Sequence, residues 1–290
     1  MKLTEEEFKR FAKVIYGHTG IHLEESKLSL LSNRLRKRLR ALNLESFDDY
    51  FRLIQSRKGF EQEEAHFLSA VTTNETYFFR NDALWRSMKD ELIPSFVRQK
   101  SEGERSIRVW SAASSTGAEA YTTAIMFREN LPDFDSWRIS IIGSDISKNV
   151  LDQAREGLYT DYAVSRTTPD RVKRWFDRTS GGYQVRDELK SLVKFQFHNL
   201  RDRFPGARFD LVFLRNVLMY FDLEMKKTVL RNVIDAVAPG GYLIIGDVDP
   251  IRTIPELNQY MTLDYLRPGT YWRPAAGQSG AQTRMNLVNA

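Results

Sequence analysis

The sequence predicts an α/β protein in which a small all-helical segment precedes a mostly parallel, doubly wound sheet. Three observations predict it. Up to about residue 72, apolar residues recur only at steps of three and four. From about residue 105, short β-branched and aromatic runs alternate with helical stretches. Several of those runs end in small residues or an acid, where open parallel sheets place their ligands.

In the helical segment Phe8, Phe11 and Ile15 share one face, and Leu28, Leu31, Leu35, Leu39 and Leu42 form a second stripe. Ser46 is placed to N-cap a short helix carrying Tyr50, Phe51 and Leu53. Beyond residue 105, Ile107–Ala112 reads as a buried strand, followed by a small-residue turn and a helix from about Gly117 to Glu129. Ile139–Ser144 is a second strand that ends in Asp145. Ser147 is read as the N-cap of a helix running to about Glu156. Leu192–Phe197 and Phe209–Leu214 are strands, and Leu223–Val237 is a helix stopped by Pro239-Gly240-Gly241. Tyr242–Ile245 is the fifth strand, and Tyr260–Leu266 with Tyr271–Arg273 reads as a closing hairpin. Tyr159 to Lys190, with Trp175-Phe176, Ser180-Gly181-Gly182 and Tyr183-Gln184-Val185, reads as a small inserted hairpin. The expected domains are residues 1–72, helical, and 73–274, the sheet with a β-subdomain near 160–190. Residues 275–290 are small and polar and read as a disordered tail.

Composition narrows the chemistry. The 290 residues are 42% hydrophobic and 12% aromatic, enough to build a sizeable core. With no cysteine, the chain has no disulfide, thiolate metal site or cysteine nucleophile. His18, His22, His66 and His198 show no metal-ligand spacing, so no metal is expected. The start MKLTEEEFKRF has no apolar core of a leader, and no stretch approaches the length of a membrane span, which points to a cytoplasmic protein with no membrane insertion. The net charge of +5 calls for an acidic partner: nucleic acid, an anionic membrane or an acidic protein surface.

The first strand leads into Ser111-Ala112-Ala113-Ser114-Ser115-Thr116-Gly117. Small residues there allow close backbone approach to a ligand, or simply a tight turn. The run is neither GxGxxG nor a P-loop, so a ligand without pyrophosphate is favoured. Asp145, at the end of the second strand, is placed for ribose hydroxyls; the bland alternative is helix capping, which Ser147 already offers. A nucleoside ligand without phosphates suggests S-adenosylmethionine.

The longer motifs are TTNETYFFR (72–80), VWSAASSTGAEAY (109–121), SDI (144–146), NL (199–200) and FDLVFLRNVLMYF (209–221). In this order and spacing the chain resembles the chemotaxis-receptor glutamate methyltransferases, the CheR family, over roughly residues 5 to 273. The resemblance implies a Rossmann-like class I S-adenosylmethionine-dependent methyltransferase domain with a small β-subdomain, behind an all-α N-terminal domain. It implies that Asn74, Thr76 and Arg80 line the methionine end of the cofactor and that Ala112 and Glu119 border it, Glu119 near the amino group. Asp145 would hold the ribose, Asn199 and Leu200 would flank the adenine, and Asn216 and Val217 would lie alongside. Arg80 and Tyr220 would serve transfer, and S-adenosylhomocysteine would be the product. Two departures from the family pattern stand out: Gly117-Ala118-Glu119-Ala120-Tyr121 replaces Gly-Glu-Glu-Pro-Tyr, and Gly246-Asp247-Val248-Asp249 replaces Gly-x-Ser-Glu.

The nucleophile implied is a glutamate carboxylate. Such a group ordinarily titrates at about pH 4.3 and is already ionised at neutral pH, so no general base is required. Arg34, Arg36, Lys37, Arg38 and Arg40 fall within seven positions and fan over the face opposite Leu35 and Leu39. That face is either plainly solvated or a docking surface; the resemblance implies docking on the acidic methylation helices of a chemoreceptor. In the family it resembles, members that bind a receptor pentapeptide tail carry a longer glycine-containing loop in the β-subdomain; the resemblance therefore implies that this chain, with its short turn Thr179–Tyr183, needs no such tail, and the absence of a spare apolar stripe predicts a monomer. A nucleic-acid methyltransferase is disfavoured, because there is no cysteine and no Pro-Pro-aromatic motif after the fourth strand. A non-catalytic cofactor-binding scaffold of the same family is the alternative.

Overall fold

A computed structural model describes residues 2–100, 103–206, 208–246, 262–263 and 270–272. Four helices come first: α1 (Glu5–Thr19), α2 (Leu28–Leu42), α3 (Phe47–Gln55) and α4 (Arg57–Val71). A capping box starts α1: Thr4 Oγ1 accepts from the Glu7 N–H, and the Glu7 carboxylate accepts from the Thr4 N–H. Ser46 caps α3 through the Asp49 N–H at 3.0 Å. Phe11, Leu35, Tyr50 and Phe67 meet in one buried cluster.

Sequence periodicity missed α4 because its buried face carries a carboxylate. Glu63 is 4% exposed. It accepts from Arg38 Nε and Nη2, both at 2.6 Å, and from the Tyr50 hydroxyl at 3.3 Å. Burial and the neighbouring Glu63 push the Tyr50 phenol up.

An extended linker follows, then α5 (Asp82–Ser87), a π-helical turn (Met88–Leu92) and α6 (Ile93–Lys100). The main sheet has the order β6-β2-β1-β7-β8-β10-β9. Its members are β1 (Ser106–Ala112), β2 (Arg138–Asp145), β6 (Val193–Phe197), β7 (Phe209–Leu214), β8 (Val237–Ile245), β9 (Thr262–Leu263) and β10 (Thr270–Trp272). The first five are parallel, and β10 runs antiparallel to β8 and β9. The connecting helices are α7 (Ala118–Asn130), α8 (Lys148–Glu156) and α12 (Leu223–Ala236). Alternation along β1 sends Val109 to the core cluster that holds α7 and Trp110 to the one that holds α12.

The expected helix stop at Pro239-Gly240-Gly241 falls instead within β8, at a bulge: Phe209 pairs with Val237, and Leu211 next pairs with Tyr242. The insertion is also more than a hairpin. β3 (Leu158–Tyr159), β5 (Gly182–Val185) and β4 (Phe176–Thr179) form a sheet in that order. Three short helices accompany it: α9 (Asp161–Val164), α10 (Pro169–Trp175) and α11 (Asp187–Lys190). Gly182 is required there, since with φ at 135° any Cβ would sit 2.2 Å from the Tyr159 carbonyl oxygen. The expected tail and the Asp247–Asp249 departure lie outside the described residues.

Glu63→Ala would leave Arg38 half-buried and unpaired, at a cost of about 2–3 kcal/mol, the low side for a broken buried pair because Arg38 keeps some solvent. A lowered urea midpoint with an unchanged far-ultraviolet circular-dichroism spectrum in water is expected; an unchanged midpoint would show that the pair is not needed for stability.

Candidate active site

The crevice opens where the strand order reverses, beyond the carboxyl ends of β1 and β7. It encloses about 1010 Å³ of space, open solvent included. Its wall draws on the 72–80 linker, the loop after β1, the ends of β2, β6 and β7, and Thr19 and Ile21 from the end of α1.

Three backbone donors of the loop after β1 are spent within the protein. The Ser114 N–H donates to the Ser144 carbonyl at 2.8 Å, Ser115 to Asp145 Oδ2 at 2.9 Å, and Gly117 to the Ser114 carbonyl at 2.9 Å. Gly117 has φ at 85°, and a Cβ there would meet the Phe195 ring at 2.6 Å. Ala112, expected beside the ligand, is instead packed among Trp110, Leu200 and Leu214. The chain turns at Ala113, with φ at 56°, and it is Ala113–Ser115 that line the crevice.

Asp145 is fastened from both sides, by Ser115 N–H on Oδ2 and by Ser147 N–H on Oδ1 at 2.9 Å. Burial pushes its carboxyl up, and the amides of Ser147, Ser115 and Ile146 pull it back. Ser147 does not cap with its side chain: its Oγ is buried without a partner. Asp145 therefore organises the turn as well as facing the crevice, and its oxygens retain lone pairs for further donors.

Glu119 accepts from Ser111 Oγ at 2.7 Å and from Arg215 Nη1 at 2.8 Å. Arg215, buried in the wall, also donates from Nη2 to the Arg80 carbonyl at 3.0 Å. Arg215 is not among the residues that the motifs implied; a lone arginine closing an apolar strand was the available signal. Ala118 and Ala120 are wholly buried in the core, so that departure changes packing rather than the wall.

The crevice also brings together Asn74, Thr76, Arg80, Glu119, Asp145, Asn199, Leu200, Asn216, Val217 and Tyr220. Asn199 Nδ2 is committed to the His18 carbonyl at 2.9 Å. His198 also lines the wall, which no motif suggested; its ring packs on Trp110 and Phe204, and burial lowers its pKa. Among the described residues no cluster of His, Asp and Glu is built to hold a metal, and no helix is long and apolar enough to cross a membrane.

The family description "CheR methyltransferase, SAM binding domain" matches residues 74–266, and "CheR methyltransferase, all-alpha domain" matches residues 6–72. The chain belongs to the CheR methyltransferase family. It is similar to the chemotaxis protein methyltransferase of Borreliella burgdorferi, at 31% identity over 93% of this chain and 95% of the relative. Chemotaxis protein methyltransferase 2 of Vibrio cholerae is 30% identical, covering 96% of each chain. Chemotaxis protein methyltransferase 2 of Pseudomonas aeruginosa is 36% identical over 84% of this chain and 86% of the relative. The protein is an S-adenosylmethionine-dependent methyltransferase of the chemotaxis family. The crevice fits that cofactor: Asp145 and Glu119 both line it and keep lone pairs for further donors.

An Asp145 that met two ribose hydroxyls would accept from them more strongly as an anion. Because burial raises its pKa, S-adenosylhomocysteine affinity should fall on acidification before an ordinary aspartate would titrate. Calorimetry across pH should show this fall in the wild type. Asp145→Ala should lose about 10–100-fold at neutral pH and show a flattened profile. Tight binding by the variant would remove Asp145 from the site.

Proposed function

We propose that this CheR-family enzyme transfers the methyl group of S-adenosylmethionine to glutamate side chains of a cytoplasmic chemoreceptor segment, forming methyl esters. The observation that carries this reading is Arg80. Its guanidinium lines the crevice and, among the described residues, has no ion-pair partner; Tyr220 lines the same space.

The cofactor supplies an electrophilic methyl on a sulfonium. The chain supplies alignment and exclusion of water for a nucleophile that needs no deprotonation. Arg80 orients the incoming carboxylate by a charge-assisted hydrogen bond, and Tyr220 holds the reacting oxygen in line. Asp145 binds the ribose hydroxyls, and Glu119 takes the amino group with the lone pairs that Ser111 and Arg215 leave. Asn74 and Thr76 stand at the methionine end. Leu200 and Asn199 flank the adenine, and Asn216 and Val217 line its side. Residues 1–72 serve as the docking domain and 73–274 as the transfer domain, in a cytoplasmic monomer.

The basic helix divides in two. Arg38 is held by Glu63. Arg34 donates to the Val71 carbonyl at 3.2 Å and to Thr73 Oγ1 at 3.0 Å, and burial lowers its pKa. Arg36 reaches Ser32, with its Nε buried. Lys37 and Arg40 alone of the five are exposed, so receptor docking is assigned chiefly to them. Two residues, Ser180 and Gly181, join β4 to β5, which supports independence from a receptor tail peptide.

Arg80→Ala and Tyr220→Phe should each lower receptor turnover about 10–100-fold, as expected for a lost bond to a charged group, with a smaller change in S-adenosylhomocysteine affinity. Wild-type turnover in both would overturn the assignment. Reversing Lys37 and Arg40 to Glu should raise the receptor KM and leave cofactor affinity unchanged; a calorimetric loss of cofactor would count against docking.

A further inference from the structure

A carboxylate sits at the mouth of a site read as a carboxylate receiver. Glu75 lines the crevice five residues before Arg80, and Arg80 Nη1 already donates to the Glu75 backbone carbonyl at 3.3 Å. A glutamate so placed could swing onto the guanidinium and compete with any incoming acid. It does not, because its Oε1 accepts from the Tyr162 hydroxyl at 2.6 Å. Tyr162 belongs to α9 of the inserted subdomain. Its ring stands edge-on to Tyr77 at 6.2 Å, and Tyr77 in turn lies 5.6 Å beneath the Arg80 guanidinium. Glu75, Tyr77, Arg80 and Tyr162 thus form one cluster on the rim, with Glu75 and Tyr162 exposed and Tyr77 and Arg80 half-buried. No core packing requires the phenol, since Tyr162 is 57% exposed. Its polar work is the bond to Glu75.

We propose that Tyr162 is a positioning residue that parks the Glu75 carboxylate away from Arg80, so that the guanidinium stays available to the substrate carboxylate. The subdomain thereby takes part in substrate capture through one hydroxyl. The inference rests on the reading of Arg80 as the group that meets the substrate. Its physical core, the parking of Glu75, is testable without any substrate. An ion pair on an exposed rim is weak and screened by salt. The competition should therefore be modest and fade as ionic strength rises.

The test compares the full-length wild type with Tyr162→Phe, Glu75→Gln and the double variant. First, the Arg80 Nε–H is followed by NMR hydrogen exchange in the substrate-free protein. Exchange should slow in Tyr162→Phe, as Glu75 moves onto the guanidinium, and return to the wild-type rate in the double variant. Unchanged exchange in Tyr162→Phe overturns the parking itself. Second, receptor methylation is measured at low and at high salt. Tyr162→Phe should raise the receptor KM about 2–5-fold at low salt, with little change in kcat or in S-adenosylhomocysteine affinity, and adding Glu75→Gln should restore it. A KM that stays raised in the double variant would show that Tyr162 acts through its ring contact with Tyr77, and would overturn the proposal. If exchange behaves as expected but no variant, wild type included, methylates a receptor, the proposed substrate falls and the role given to Tyr162 falls with it.

Discussion

The buried pair between Glu119 and Arg215 is the constraint on which the site depends. Glu119 rises from the first turn of α7, and Arg215 follows the last residue of β7. Ser111 of β1 completes the acid's shell, and the second guanidinium nitrogen holds the carbonyl of Arg80. One ion pair thus joins a helix, two strands and the linker on a single wall. The side chains of Arg215 and Glu119 are only 6% and 14% exposed, so neither charge can fall back on water. Removing one partner of such a pair costs more than the pair contributes, on the order of 3–5 kcal/mol. The same pair fixes the backbone from which Arg80 projects.

Strain gathers around this wall. Among the described residues, the non-glycine positions with positive φ are Asn43, Phe79, Asn81, Ala113, Ser115, Asp133 and Asn216. Five of these seven belong to the three segments that shape the crevice: the linker, the loop after β1 and the turn after β7. Such conformations persist only where surrounding contacts hold them. At Phe79 the contacts are visible: its N–H donates to Thr122 Oγ1 at 3.2 Å, and Arg171, bonded to Glu129, covers its ring at 4.3 Å. Arg171 lies on α10, so the inserted subdomain braces the linker here as well as at Tyr162.

The helical bundle is part of the site rather than an appendage to it. Asn199 and Arg201 donate to the carbonyls of His18 and Gly17 at the end of α1. The His22 N–H donates to the Tyr220 carbonyl at 2.8 Å, and Ile21 bridges Phe221. Lys148 pairs with Glu64 across the same seam at 2.8 Å. Thr19 and Ile21 consequently close the crevice from above. The surface that would meet a receptor and the crevice that would carry out transfer are joined by one hydrogen-bonded seam.

By itself, the sequence determined the fold class and the position of the crevice. β-branched runs, a small-residue turn after Ala112 and a terminal acid at Asp145 are local signals, and a strand order that reverses beside β1 puts its ligand in one place. The motifs carried the family for a related reason: NETYFFR and RNVLMYF hold polar residues inside apolar stretches, which a packed core does not ask for. Tertiary structure alone decided which polar groups remain available. Arg38 looks like a docking charge in the sequence, yet it is spent on Glu63, twenty-five residues away and on another helix. Asn199 is spent on α1, and Ser147 stands at the N-cap of α8 without a side-chain capping bond. Arg215 carried no local signal strong enough to place it, because its partners come from β1, α7 and the linker. Periodicity reports which face of an element is buried. It does not report which buried or half-buried charge has met its opposite, because that depends on contacts between segments far apart in the chain.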